Sequence, residues 1–173
     1  MNSLSTTALT RTALLLAATL VLQGLRLVIP IPPQVSMFLI GSLVNACFVI
    51  AVLTVHWRAG IMVALVTPVF AWLEGMLPVP LFIVPVAFGN TIFVMMMHLL
   101  GKWKSLGYVS IYAAAGLKAT ALYGSFYILF SLVAFPDAVR HAILFTMSWP
   151  QIWTGFLGGT LGILISRRIK KIS

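Results

Sequence analysis

Six apolar runs, each near the length a helix needs to cross a bilayer, take up almost the whole chain. They cover about 9–29, 36–55, 60–77, 81–100, 108–133 and 142–166, with short connections between them. The 173 residues are 61% hydrophobic and only 8% charged. A soluble domain is about half apolar and about a quarter charged, so a soluble enzyme, a nucleic-acid binder and a disordered tail are excluded. The expected fold is all-α: one integral membrane bundle of six transmembrane helices, residues 1–173. No length is left over for a separate soluble ATPase, sensor or catalytic domain.

Prolines set most of the breaks, because proline removes a backbone donor and clashes with the preceding helical turn. Pro30, Pro32 and Pro33 stop the first run, and Pro78 and Pro80 divide the third from the fourth. Residues 134–141 form a polar break, after which Pro150 leaves two readings open. It is either the first-turn proline of a last helix behind a short capping segment, or a kink in one continuous helix. The first apolar run continues past a short signal-peptide core without a clear cleavage site and is read as a helix of the folded protein.

The net charge of +9 comes from eleven Lys and Arg against Glu74 and Asp137. Their positions give topology and not nucleic-acid binding. Threading six spans puts Arg11, Arg58, Lys102, Lys104, Arg167, Arg168, Lys170 and Lys171 on the face that holds both termini. Only Arg26 and Arg140 fall on the other face. By the positive-inside rule both termini are expected to be cytoplasmic, in the plasma membrane of a prokaryote. Cys47, the one cysteine, lies inside an apolar run and reads as a buried, inert thiol.

Charge at membrane depth is costly unless it faces a cavity or a partner. Lys118 stands about ten residues into the fifth run, about 15 Å along a helix. Glu74 lies near the outer end of the third run. They read either as a pair that locks two helices or as the walls of a polar pocket. Asn45, Asn90, His98, Gln151 and Gln23 are the remaining polar groups inside the runs, and amides there commonly tie helices together. Trp72, Trp149, Trp153, Tyr123 and Tyr127 serve either to stack on a flat ring or as interfacial belt residues. His56 and His98 are too isolated for a metal site, which needs three or four convergent ligands. No paired acid and base, nucleophile motif or phosphate-binding loop is present, so neither an enzyme nor a cofactor is expected.

Small residues recur at helical spacing in Ala13-Leu14-Leu15-Leu16-Ala17 and again at Gly155, Gly158, Gly159 and Gly162. Such stripes let helix backbones approach closely in lipid. With the proline-interrupted stretch from Pro68 through Leu77-Pro78-Val79-Pro80 to Gly89-Asn90, and with Trp149-Pro150-Gln151-Ile152-Trp153-Thr154-Gly155, the chain resembles the substrate-binding S-components of energy-coupling factor (ECF) vitamin transporters. The resemblance covers nearly the whole chain, and it is one of architecture with weak motifs.

That resemblance implies capture of a vitamin or vitamin precursor from outside. Delivery then follows by toppling while docked on a shared transmembrane coupling subunit driven by two ATPase subunits. Ala13 and Ala17 would form the docking face, and the loop at 30–36, with Pro32, Pro33 and Gln34, the lid. Polarity and depth place the pocket among Trp72, Glu74, Asn90, Lys118, Tyr123, Trp149 and Gln151. Aromatic faces with a few hydrogen bonds suit a small, flat, polar ligand such as a pyrimidine, pyridine or deazapurine precursor. Two other classes stay open: an MreD-like scaffold subunit of a cell-envelope complex, and a self-sufficient small secondary transporter. The second is disfavoured because residues 1–80 and 81–173 show no repeat.

Overall fold

The structure, a computed structural model, describes residues 5–29, 32–101 and 109–172. All regular structure among them is helical: α1 (Thr6–Val28), α2 (Pro33–Thr54), α3 (Trp57–Leu73), α4 (Ile83–Leu100), α5 (Val109–Leu132), α6 (Asp137–Thr146) and α7 (Trp149–Ile172). A single 3-10 turn, Pro80–Phe82, leads into α4.

Local chemistry explains the boundaries. Ser5 caps α1 by accepting from the Ala8 amide at 3.3 Å, and His56 Nδ1 caps α3 by accepting from the Arg58 amide at the same distance. Pro33 begins α2 and Pro80 begins the 3-10 turn, positions where the missing N–H costs nothing. Gly75, at φ 76°, supplies the left-handed residue that turns the chain after α3.

Pro150 lies in the first turn of α7, and residues 137–146 form a helix of their own. The apolar stretch 142–166 is therefore two helices and not one span. A helix starting at Trp149 accommodates Pro150 without losing an internal hydrogen bond.

Four stretches are long and apolar enough to cross a membrane: Thr6–Val28, Pro33–Thr54, Pro80–Leu100 and Val109–Leu132. The fifth apolar helix, α3, is shorter at 17 residues. α7 has the length, at 24 residues, but its four glycines and basic end dilute its hydropathy.

Helices α2, α3, α4, α5 and α7 pack in a closed ring, each against the next, with α7 returning to α2. α1 lies outside the ring against α2 and α3, and α6 rests on α5 and α7. Glycine contacts fix the direction of α7. A Cβ on Gly158 would run into the Ser42 carbonyl and reach within 2.6 Å of Asn45 Cβ, and one on Gly162 would lie 2.7 Å from Val49 Cβ. Numbers rise together, so α2 and α7 run parallel with backbones touching. Against α5 the order reverses, since Gly155 meets Ala115 and Gly159 meets Ile111.

One half of the ring is solid. Phe48, Val49, Val63, Phe93, Val94 and Ile111 fill it, each fully buried. α1 carries the reverse of a soluble helix: its buried residues are Thr12, Thr19 and Gln23, whereas Leu14, Val21, Leu27 and Val28 are exposed. A polar face turned inward and an apolar face turned outward is the pattern of a helix solvated by lipid.

Candidate solute cavity

The other half of the bundle encloses a cavity of about 260 Å³. Its wall uses the first halves of α2, α4 and α7 and the last turns of α1 and α3, so it opens toward one end of the bundle. That end is remote from Arg58, Arg167, Arg168, Lys170 and Lys171. The side walls are apolar, from Met37, Ile40, Val44, Pro68, Ala71 and Leu122. Ile143 and Thr146 of α6, with Met147, close the cavity from above.

Polarity is concentrated deeper down. Lys118 is 4% exposed, and its Nζ donates to Asn45 Oδ1 at 2.7 Å. The same ammonium stands 5.5 Å from the centre of the Phe93 ring, a cation–π contact. Gln23 Nε2 donates to the Thr67 carbonyl at 3.2 Å, tying α1 to α3 at the cavity wall. Thr67 Oγ1 is buried without a hydrogen-bond partner among the described residues. Asn90, 6% exposed, lines the cavity with no hydrogen bond among the described residues. Gln151 Nε2 donates to the Thr146 carbonyl at 3.2 Å, and so fastens α6 to α7.

Of the pocket residues expected from sequence, the cavity wall includes Asn90, Lys118 and Gln151. Trp72, Glu74, Tyr123 and Trp149 lie elsewhere. Trp72, Tyr123 and Trp149 are 37%, 43% and 48% exposed on the outside of the bundle. Trp149 packs against Phe38 and Phe145, and Tyr123 stacks on Tyr127. Among the described residues no aromatic side chain lines the cavity, so nothing there supports stacking on a flat ring.

Glu74 pairs with Arg26 at 3.1 Å, not with Lys118. Arg26 lies one helical turn beyond Gln23 on α1, a helix that the sequence alone did not bring beside α3. Both side chains are nearly buried, at 13% and 11% exposed. Removing one partner of such a pair strands the other charge, so Glu74→Ala is expected to lower stability by about 3 kcal/mol. Replacing both by leucine should recover most of that loss, which thermal melting of the purified single and double variants measures.

The lid also differs from expectation. Pro33 and Gln34 belong to the first turn of α2 and Pro32 is its cap, while residues 30–31 lie outside the described residues. Among the described residues, Ile143 and Thr146 of α6 and the adjoining Met147 stand over the cavity. Residues 102–108, which carry the expected basic inner connection, also lie outside the described residues. Ala13 and Ala17 are exposed on α1, away from the cavity. Sequence reading missed Thr67, Thr146 and Thr154, because a threonine in an apolar helix usually hydrogen-bonds its own backbone and leaves no outward mark.

No group of three or more His, Cys, Asp or Glu able to hold a metal occurs among the described residues. Comparisons with family models, with curated proteins and with solved structures return no match.

Proposed function

We propose that this chain is the solute-binding membrane subunit of an ECF-type importer, as its resemblance to S-components implies. In this reading the six long helices cross the cell membrane with both termini in the cytoplasm. The cavity faces outward, and a vitamin or cofactor precursor enters beneath α6. Energy comes from a separate coupling subunit and its two ATPases, docked along the alanine face of α1.

The observation that carries the reading is the position of the cavity. It is floored by Lys118 and Asn45, closed below by the apolar core, and set at the end away from Arg58, Arg167, Arg168, Lys170 and Lys171. Buried polar groups cost free energy, and two in the wall, the Thr67 hydroxyl and the Asn90 amide, make no side-chain hydrogen bond among the described residues. Binding a solute supplies the missing partners. The fully buried apolar cluster below the cavity fits a subunit that captures a solute and relies on another component to move it.

Ligand binding to the native state raises apparent stability by mass action. A solute at 100 times its dissociation constant adds about 2.7 kcal/mol. The purified protein is therefore expected to melt several degrees higher with one vitamin or precursor from a panel, and not with the rest. Rapid exchange of that solute in proteoliposomes holding this chain alone would favour a self-sufficient transporter. Absence of any shift, with no small molecule copurifying, would favour a scaffold.

A further inference from the structure

We infer that the solute held in this cavity is a monoanion whose carboxylate is received by Lys118. The inference rests on the reading of the cavity as a solute site.

Charge balance is the starting point. The chain has two acidic residues, and both are engaged by arginine: Glu74 by Arg26 at 3.1 Å and Asp137 by Arg140 at 3.4 Å. Neither carboxylate lines the cavity. Among the described residues, Lys118 is the one Lys or Arg in the wall, and its contacts are a neutral amide and a ring face. An ammonium has three donors, and Asn45 Oδ1 accepts from one of them. A cation at the centre of a membrane bundle normally faces an opposite charge or water. Here a bound anion would provide that charge.

The surrounding groups are arranged as donors. Because an ammonium only donates, it must meet the oxygen of Asn45, which leaves the Nδ2 group of that amide to donate elsewhere. The Thr67 hydroxyl, buried and without a partner among the described residues, adds another donor, and the Asn90 amide adds a further one. One positive charge with several neutral donors suits a carboxylate. A phosphate dianion would keep an uncompensated charge in the apolar interior, and a zwitterion would bring an ammonium that no acid in the wall could meet. The volume, about 260 Å³, lies just below the range of about 300–1,000 Å³ for drug-sized ligands, so the anion is small.

The test is a thermal-shift and calorimetric titration of the full chain in detergent with matched pairs: nicotinate and nicotinamide, pantothenate and pantothenol, biotin and biotin amide. Native mass spectrometry of the freshly purified protein accompanies it. The expected result is stabilisation by the acid of one pair and not by its neutral mate, or a copurified carboxylic acid. Lys118→Gln should then weaken that acid by about 10- to 100-fold, the usual range for losing a charge-assisted hydrogen bond. Equal or tighter binding of a neutral mate, or a copurified neutral solute, overturns the anion assignment and leaves the solute site standing. No binding by any member, with nothing copurified, overturns the solute site itself. The pairs are compared on the wild-type chain, so the outcome does not depend on whether Lys118→Gln folds.

Discussion

Gly158→Leu is expected to abolish the folded bundle. A Cβ at this position would strike the Ser42 carbonyl and come within 3.1 Å of the Ala46 amide nitrogen. Both obstacles are backbone, so no rotamer change relieves them, and α7 can only move away from α2. Gly162 has the same constraint one turn later, with the Ala46 carbonyl at 2.8 Å. Overpacking a core side chain costs about 1–3 kcal/mol, and separating two touching backbones should exceed that range. The lost contact also carries more weight in lipid, where close packing and not hydrophobicity drives helices together. Size-exclusion chromatography and melting of the purified variant measure the effect. Gly116→Ala and Gly124→Ala are the controls: nothing lies within 4 Å of either added Cβ, and exchanging helical glycine for alanine is expected to gain up to about 1 kcal/mol. A Gly158→Leu protein as stable as the wild type would refute the parallel α2–α7 contact.

On the proposed importer reading, Ala17→Trp, or Ala13→Trp, is expected to remove uptake while leaving solute affinity within about two-fold, because neither alanine lines the cavity. Both alanines stand on the exposed face of α1 with Leu14, Ala18 and Val21, and none of these lines the cavity. The opposite face of the helix, with Thr12, Thr19 and Gln23, is the one that holds α1 to the bundle. A bulky apolar side chain therefore leaves the fold and the cavity intact and spoils only what approaches from outside. Uptake by cells expressing the coupling subunit and ATPases, read beside calorimetric affinity of the purified variant, separates the two. Normal uptake by either variant would remove α1 as the docking helix, without touching the assignment of the cavity.

Helix positions were legible because their causes are local. The apolar runs, with breaks at Pro30 to Pro33 and at Pro78 and Pro80, can be read one residue after another, whereas the choice at Pro150 between a new helix and a kink could not. The cavity was partly legible for a related reason. Lys118 and Asn90 are conspicuous in apolar helices, and any charge or amide at that depth needs a place to go. The errors share one cause, the face each residue presents. Trp72, Tyr123 and Trp149 sit on helices that border the cavity but are exposed on the bundle's outside. Turning a helix by one residue moves a side chain by about 100°, given 3.6 residues per turn, and the chain order does not record that angle.

Composition and periodicity were enough to establish an all-helical chain with lipid-length spans, crowded with basic residues at one end. Helix formation and membrane solvation depend on each segment's own residues, so they need no knowledge of neighbours. Partnership was a matter for the tertiary structure. Packing α1 across α3 gave Glu74 to Arg26, and closing the ring of helices around one cavity gave Asn45 of α2 to Lys118 of α5. Those contacts join residues 48 and 73 positions apart. Which helices meet, and at what rotation, is settled by the sum of many weak contacts across the bundle, and no single stretch of sequence contains that sum.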